Sequence, residues 1–308
     1  IMKVTVIGAG NVGATCANVI AMKEISSHVV LLDVGEGIAE GKAMDISQSM
    51  ASLGYDTVVE GVTNDFTKTA NSDVVVVSSG MPRKPGMTRE ELVSVNVSIV
   101  DSVVKNSLKY SPNAIFIIVT NPLDTMALVA LKSLGLPKNR VIGMGGALDS
   151  ARFKYFLSQK INKPINDIDG IVVGGHGDTT MIPVRGLATY KGTPISELLS
   201  DEEFTEVIQQ TMVGGATLTK LLGTSAWYAP GAAIAEVVDS ILGDKKKLIP
   251  CSAYLEGEYG ASDLFIGVPC IIGKDGIEEI VTIQLSDAER STFANSIEAI
   301  KEVNALLG

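Results

Sequence analysis

Short apolar runs alternate with longer helical stretches through the first half of the chain. The runs are rich in β-branched residues and almost continuously apolar, as expected for strands buried on both faces; they cover residues 3–7, 28–32, 73–77, 114–119 and 140–143. Helical spacing follows at residues 11–23 and 88–110, and Thr88 with Glu91 has the pattern of a capping box. This alternation predicts an α/β fold, a doubly wound parallel sheet with right-handed crossovers.

The pattern changes after residue 145. Residues 148–160 predict a helix, 170–174 a strand, and about 201–222 and 232–242 two further helices. Residues 248–256, 264–272 and 278–285 predict antiparallel strands with a turn at Asp275-Gly276, and Ser286 with Glu289 caps a last helix that runs to about Leu307. We therefore predict two domains with an extensive interface, a parallel-sheet domain at 1–145 and an α+β domain at 146–308.

Composition limits the classes of function. The chain has 308 residues, of which 46% are hydrophobic and 19% charged, enough to fill two cores. A net charge of −10 argues against a nucleic-acid or anionic-membrane surface, and neither a leader peptide nor a membrane span is expected. Cys16, Cys251 and Cys270 lack C-x-x-C spacing, so neither disulfides nor a metal site are predicted and the expected location is cytoplasmic.

A glycine-rich turn follows the first predicted strand. Gly8, Gly10 and Gly13 have the spacing G-x-G-x-x-G directly before a helix, and Asp33 ends the next strand. Such a turn lets a pyrophosphate approach the main chain at a helix N-terminus. The acidic residue accepts hydrogen bonds from the adenosine ribose and repels a 2′-phosphate. We therefore predict a Rossmann-type domain that binds NAD in preference to NADP.

Only two histidines are available for proton chemistry. His176 lies between glycines at the end of a predicted strand, whereas His28 begins a buried strand. Imidazole ionises near neutral pH and is therefore suited to proton transfer. His176 is the candidate acid–base residue, and His28 is interpreted as structural.

Three arginines are candidates for binding carboxylates. Arg152 follows Asp149 by three residues, so a helix places both side chains on one face. Arg83 and Arg89 lie in a segment with glycine or proline at positions 80, 82, 85 and 86, a composition that favours a lid moving as one piece. A planar guanidinium binds a carboxylate through two parallel hydrogen bonds. The alternative interpretation is that these arginines are solvated surface charges.

Together these segments resemble the lactate/malate dehydrogenase family over essentially the whole chain. Besides the glycine turn, the resemblance rests on residues 81–89 (MPRKPGMTR), 120–122 (TNP), 148–152 (LDSAR) and 174–178 (GGHGD). It implies that His176 accepts the hydroxyl proton of a 2-hydroxy acid while Asp149 fixes its tautomer and raises its pKa. It also implies that Arg152 binds the C1 carboxylate of the substrate.

The resemblance assigns roles to further residues. Arg89 would polarise the C2 carbonyl, and Asn121, joined to Pro122 by a cis bond, would bind substrate near the nicotinamide. Arg83 stands where lactate-specific relatives carry glutamine, so it would pair with the C4 carboxylate of a dicarboxylate; its loop is similar to that of malate dehydrogenases in the family. The residues implied for cofactor binding are Gly8, Gly10, Asn11, Val12, Gly13, Asp33, Gly80, Asn96, Val119 and Asn121.

The resemblance implies NAD-dependent, reversible oxidation of (S)-malate to oxaloacetate, a tricarboxylic acid cycle reaction, by a homo-oligomer in which a tetramer is favoured over a dimer. The nearest alternative keeps the fold and oxidises lactate. A non-catalytic NAD-binding sensor should lack at least one residue of the site, and an NAD-dependent glycosidase should bring a cysteine and a histidine together as metal ligands. Which of residues 224–226 lines the substrate pocket stays open.

Overall fold

A computed structural model describes residues 2–308. The helices are α1 Asn11–Met22, α2 Ile38–Leu53, α3 Arg89–Tyr110, α4 Leu123–Leu134, α5 Gly146–Ile161, α6 Asp201–Met212, α7 Gly214–Leu222, α8 Tyr228–Leu242 and α9 Asp287–Asn304. The strands are β1 Lys3–Ile7, β2 His28–Asp33, β3 Val58–Thr63, β4 Val74–Val77, β5 Ile115–Ile118, β6 Val141–Gly143, β7 Ile168–Asp169, β8 Val172–Gly174, β9 Met181–Pro183, β10 Thr189–Tyr190, β11 Thr193–Pro194, β12 Lys247–Glu256, β13 Ser262–Gly273 and β14 Gly276–Ile280.

One continuous sheet runs through both halves of the chain. Its order is β3-β2-β1-β4-β5-β6-β12-β13-β8-β9, with β14 also paired to β13, and a separate small sheet has the order β11-β10-β7. The first six strands pair in parallel, and β12 then joins β6 in antiparallel orientation at Ser252 and Gly143. The predicted fold class is confirmed. Because no break in the sheet marks residue 145, the domain boundary there stays a prediction.

The elements form where local chemistry favours them. All four valines of β4 are fully buried, which explains why the strand reads as a continuous apolar run. The predicted capping boxes of α3 and α9 are both present: Thr88 and Ser286 each accept the N–H of the glutamate three residues later. The first cap fixes where α3 begins and therefore how long the β4–α3 loop, residues 78–88, can be.

Three elements of the first half are not singled out by the hydrophobic pattern. Helix α2 leaves large apolar side chains such as Ile38, Met44 and Leu53 exposed, so its periodicity is weak. Helix α4 is buried over most of its length and therefore lacks a polar face. Strand β3, at the edge of the sheet, is interrupted in sequence by Glu60-Gly61.

The predicted helix at residues 201–222 is wrong as a single element. Helix α6 ends at Met212 and α7 begins at Gly214, with Val213 between them. Two consecutive glycines, Gly214 and Gly215, weaken the helix at this point because glycine has low helix propensity. The break places the start of α7 against Arg152.

The predicted strand at residues 278–285 is also wrong in its second half, since β14 ends at Ile280. Beyond it, the Tyr259 hydroxyl donates to the carbonyl of Val281 at 2.6 Å and accepts the N–H of Ile283 at 3.0 Å. A side chain thus takes the place of a neighbouring strand. Such a long-range contact has no local sequence signal.

Three further observations concern membrane-spanning helices, possible metal ligands and the cysteines. No helix within residues 2–308 combines the length and the apolar character needed to cross a bilayer. The same residues contain no group of three or more His, Cys, Asp or Glu side chains arranged to hold a metal ion. The three cysteines are fully buried and free, and burial raises their pKa, which keeps the thiols protonated.

Candidate active site

The predicted site residues converge at the carboxyl ends of the parallel strands. The glycine turn follows β1, Asp33 ends β2, the β4–α3 loop carries Arg83, Arg89 begins α3, and Asn121 follows β5. Helix α5 and the segment after β8 bring Asp149, Arg152 and His176 to the same edge. This is where open α/β sheets bind ligands.

His176 and Asp149 form a buried hydrogen-bonded pair. The Nδ1 atom of His176 lies 2.8 Å from Oδ2 of Asp149, and the two side chains are 19% and 2% exposed. Burial by itself lowers the pKa of His176, but the charge and hydrogen bond of Asp149 and the charge of Asp124 outweigh it, so the net pKa is raised. The Nδ1–Asp149 contact leaves Nε2 as the atom available for proton exchange.

Arg152 is a mostly buried cation without a close carboxylate partner. Its Nη1 lies 3.7 Å from Oδ1 of Asp149, its side chain is 14% exposed, and its Nε has no hydrogen-bond partner among the described residues. Burial lowers the pKa of Arg152, and Asp149 and Asp178 oppose that effect. A Cβ on Gly214 or Gly215 would lie 3.3 Å from the arginine side chain, so the glycines leave it room. The guanidinium can therefore bind an incoming carboxylate.

Two adjoining cavities meet at Asn121 and His176. One, of 310 Å³, is lined by Arg152, and the other, of 620 Å³, is lined by Arg83 and Arg89. Arg83 and Arg89 are both exposed. The structure therefore brings Arg152 next to His176 but does not enclose all three guanidinium groups in one pocket, and closure of the loop stays a prediction.

Two of residues 224–226 line a cavity at the candidate site, and which of the three lines the substrate pocket stays a prediction. Ser225 and Ala226 line the cavity that contains Arg152, together with Ala216 and Thr219 of α7. Trp227 instead lines a separate groove between α1 and α2.

The main-chain carbonyl of Asn121 is hydrogen-bonded by the buried side chain of Asn96. The predicted cis bond between Asn121 and Pro122 is confirmed. Asn96, only 1% exposed, donates from Nδ2 to the carbonyl of Asn121 at 2.7 Å and accepts the N–H of Met81 at 2.8 Å. Asn96 thus ties the base of the β4–α3 loop to Asn121, and its contact with a cofactor stays a prediction.

The glycine turn fits a dinucleotide. Gly8 has φ +102° and a Cβ there would lie 2.7 Å from Ser78 Oγ, while a Cβ on Gly13 would lie 1.8 Å from the Gly8 carbonyl oxygen. At Gly10, by contrast, a Cβ would meet no atom within 4 Å. Gly10 caps α1 without a side-chain hydrogen bond, and no acidic residue occupies the first turn. The N-terminus of α1 therefore presents free amides toward open space, as a pyrophosphate requires.

Asp33 fixes the loop that follows β2. Its Oδ2 accepts the N–H of Ala9 at 2.7 Å and its Oδ1 accepts the N–H of Gly35 at 2.8 Å. The carboxylate is thus anchored beside the glycine turn, with lone pairs left for ribose hydroxyls.

The remaining residues predicted to bind cofactor lie along the same edge. Val12 and Val119 line the cavity that contains Arg152. Asn11 is exposed at the start of α1, and Gly80 has φ +158° beyond β4. These positions place them within the candidate cofactor cleft, and their contacts with NAD stay predictions.

His28 lies at the start of β2, the opposite end from Asp33. Its Nε2 lies 3.3 Å from Oε2 of Glu60 on the neighbouring strand β3. This cross-strand contact agrees with a structural interpretation.

One residue beside His176 has no signal in the sequence. Asp124 lies in the first turn of α4, accepts the main-chain N–H of His176 at 3.0 Å and accepts the Ser252 hydroxyl at 2.6 Å. An acidic residue in a first helical turn ordinarily predicts only a favourable interaction with the helix dipole.

Comparison with known proteins agrees with this geometry. Residues 2–143 match the family model described as lactate/malate dehydrogenase, NAD binding domain, and residues 146–305 match lactate/malate dehydrogenase, alpha/beta C-terminal domain. The chain is similar to malate dehydrogenase of Bacteroides fragilis, 66% identical over 305 residues covering 99% of this chain and 97% of that protein.

Solved structures of malate and lactate dehydrogenases are also similar to this chain. The malate dehydrogenase of Salinibacter ruber superposes with a TM-score of 0.95 at 41% identity, covering 99% of this chain and 97% of that one. The lactate dehydrogenase of Cryptosporidium parvum, complexed with lactic acid and nicotinamide adenine dinucleotide, has a TM-score of 0.94 at 37% identity, covering 99% and 98%. Because the two family models together match residues 2–143 and 146–305, and the second contains the His176–Asp149 pair, the chain belongs to the lactate/malate dehydrogenase family.

Proposed function

We propose that this chain is an NAD-dependent malate dehydrogenase, which interconverts (S)-malate and oxaloacetate. The observation that carries the proposal is the cavity shared by the His176–Asp149 pair and the Arg152 guanidinium, whose Nε has no hydrogen-bond partner within residues 2–308, beside a glycine turn that fits a dinucleotide. The names of relatives such as the Bacteroides fragilis protein support the same reaction.

Each side chain has a separate role in the proposed reaction. The glycine turn and Asp33 would hold NAD, which would supply the nicotinamide as hydride acceptor or donor for C2 of the substrate. Arg152 binds the C1 carboxylate and so orients C2 toward that ring. Nε2 of His176 takes the hydroxyl proton of malate, and Asp149 stabilises the resulting imidazolium. In the reverse direction, protonated His176 donates to the carbonyl oxygen while Arg89, once the loop closes, stabilises the developing negative charge.

Arg83 favours a dicarboxylate over lactate. Closing the β4–α3 loop over a monocarboxylate would enclose the guanidinium without a partner, at a cost of roughly 3–5 kcal/mol. The C4 carboxylate of malate supplies that partner. Lactate dehydrogenase remains the second candidate because the Cryptosporidium parvum enzyme shares the fold so closely.

Two candidates of other classes have weaker support. A sensor without catalysis should lack part of the catalytic set, yet His176, Asp149, Arg152 and Arg89 are all present. The glycosidase hypothesis needs a cysteine beside His176 in the site, whereas no cysteine lines either of the two described cavities that His176 lines.

A substrate comparison tests the proposal. With NADH at equal concentration, we expect the kcat/KM for oxaloacetate to exceed that for pyruvate by about a hundredfold or more, the difference of roughly 3 kcal/mol or more that an enclosed unpaired charge makes. The measurement is the initial rate of NADH oxidation, followed by the absorbance of the reduced nicotinamide. Comparable turnover of pyruvate would identify a lactate dehydrogenase instead.

Asp33→Asn is expected to weaken the preference for NADH over NADPH by about tenfold, since the amide loses the charge that repels a 2′-phosphate and strengthens the ribose contact, and it can accept only one of the two N–H groups, of Ala9 and Gly35, that the carboxylate accepts. The measurement is kcat/KM for each cofactor at saturating oxaloacetate. The kcat with NADH should stay within about twofold of the wild type, because Asp33 is remote from proton transfer. An unchanged cofactor preference would show that another group selects NAD.

We also propose a cytoplasmic homotetramer that acts in the tricarboxylic acid cycle, with a domain boundary at 145/146. Family resemblance supports assembly, and large apolar side chains exposed on α2 and α7, such as Met44 and Leu221, offer surfaces that assembly could bury. The protomer mass is 32.3 kDa. Sedimentation equilibrium distinguishes a tetramer from a dimer, and limited proteolysis tests the boundary.

A further inference from the structure

Asp124 is a buried carboxylate with both oxygens engaged. It is 8% exposed, its Oδ2 accepts the main-chain N–H of His176 at 3.0 Å, and its Oδ1 accepts the hydroxyl of Ser252 at 2.6 Å. Neither contact involves the imidazole ring. The carboxylate therefore acts on the main chain that carries the ring, while Asp149 acts on the ring itself.

The contacts of Asp124 join three elements at the junction of the two halves. Asp124 belongs to α4, His176 follows β8, and Ser252 lies on β12 at its pairing point with Gly143 of β6. The structure leaves no space at this point, since a Cβ on Gly143 would lie 2.6 Å from the Cβ of Ser252. His176 is thus tied, through one carboxylate, to β12 at the point where it pairs with β6.

Opposing effects act on the pKa of Asp124. The net pKa of Asp124 is raised, because burial and the negative charge of Asp149 raise it by more than the hydrogen bonds from Ser252 and the His176 amide and the positive charge of protonated His176 lower it; those two donors and that charge are what favour the ionised form. In turn, the negative charge of Asp124 raises the pKa of His176. The charged groups around the ring are Asp149 and Arg152 on α5, Asp124 on α4, Asp178 on its own loop, Arg83 on the β4–α3 loop, Arg89 at the start of α3, and Glu302 on α9.

We propose that Asp124 is a positioning residue for proton transfer: its carboxylate holds the main chain of His176 and adds negative charge behind the ring, and Ser252 holds the carboxylate. The inference rests on the proposed function because it assigns Asp124 to the proton step of that reaction. It adds a second carboxylate, one that does not touch substrate, to the Asp149–His176 pair.

Asp124→Asn tests the proposal with little change in shape. The amide oxygen can still accept the His176 N–H and the amide nitrogen can donate to Ser252, so the fold is retained while the charge is lost. We expect the alkaline limb of kcat/KM for oxaloacetate reduction to move to lower pH, because protonated His176 is less stable without the charge. A limb at the wild-type position with kcat/KM within about twofold would overturn the proposal.

Ser252→Ala keeps the carboxylate but removes one donor, so it should move the same limb in the same direction by less. In an Asp124→Asn background the Ser252→Ala change should not move the limb further, because no charge remains to be supported. The matched control is Ser240→Ala, which removes another buried hydroxyl, one that donates to the Ile272 carbonyl at 2.7 Å. It should leave the limb in place. Equal shifts in the Ser240 and Ser252 variants would point to general destabilisation and against the proposal.

A titration separates this proposal from the proposed function. The chain has two histidines, so ¹³C-histidine NMR of the enzyme without substrate shows two ring signals, and His28→Gln assigns them. The midpoint of His176 should be lower in Asp124→Asn than in the wild type, and an unchanged midpoint would refute the positioning role. If the wild type fails to reduce oxaloacetate, the proposed function fails, but the titration still tests the influence of Asp124 on His176.

Discussion

Replacing His176 by glutamine is expected to lower the kcat for oxaloacetate reduction by about three orders of magnitude, within the range that general acid–base catalysis supplies. Glutamine can still reach Asp149 with its amide, but it cannot donate a proton to the developing alkoxide. NADH binding should be little changed, because the predicted cofactor residues lie on other elements. The measurement is the steady-state rate at saturating oxaloacetate and NADH, with the dissociation constant of NADH from its fluorescence.

His28→Gln is the matched control for that variant. It makes the same chemical change at the other histidine, whose ring contacts Glu60 on the sheet edge remote from the cleft. Its kcat should stay within about twofold of the wild type. A His176→Gln enzyme that kept more than about a tenth of the wild-type rate would show that another group transfers the proton, since the loss would fall below the range for this kind of catalysis.

The two reaction directions should depend on pH in opposite ways. Burial lowers the pKa of His176, but Asp149 and Asp124 raise it by more, so the protonated form persists to higher pH than for a free imidazole. Oxaloacetate reduction needs that protonated form and should fall as pH rises through the raised pKa. Malate oxidation needs neutral His176 and should rise over the same range. Parallel pH profiles of kcat/KM in both directions test this expectation; limbs that do not coincide would exclude a single shared group.

Much of the fold follows from local patterns. The strands at the centre of the parallel sheet are buried on both faces and have one interpretation, and the capping boxes at Thr88 and Ser286 fix where α3 and α9 begin. The elements that the sequence pattern does not predict correctly are those whose structure depends on contacts with residues distant in the chain. The Tyr259 hydroxyl ends the pairing of the segment after β14, and α4 is too buried to show a polar face.

The candidate site divides in the same manner. The i,i+3 spacing places Asp149 and Arg152 on one face of α5, whereas the pairing of Asp149 with His176, 27 residues away, is implied by the family resemblance. Asp124 is different, since its partners His176 and Ser252 are 52 and 128 residues away in the chain. No local spacing predicts such a meeting. The position of Arg83 is also beyond local patterns, because it depends on whether the loop is open or closed.

Arg83→Gln is expected to lower kcat/KM for oxaloacetate by about a hundred- to a thousandfold while the value for pyruvate stays the same or rises. The loss corresponds to a carboxylate enclosed without its partner, roughly 3–5 kcal/mol. A neutral glutamine removes the opposite penalty for pyruvate, since no unpaired guanidinium is then enclosed. The ratio of the two kcat/KM values, measured with NADH at saturation, is therefore the decisive quantity.

Lys84→Gln provides the control for loop charge. Lys84 is the exposed neighbour of Arg83 in the same loop, so its replacement makes an equal change in net charge. If long-range attraction of a dianion explained the preference, both variants would lose oxaloacetate activity to a similar extent and high salt would reduce the difference. If direct pairing explains it, only Arg83→Gln changes the ratio. Unaltered oxaloacetate turnover in Arg83→Gln would mean that the C4 carboxylate is bound elsewhere. Arg83 would then stay in solvent when the loop closes and would not select the substrate.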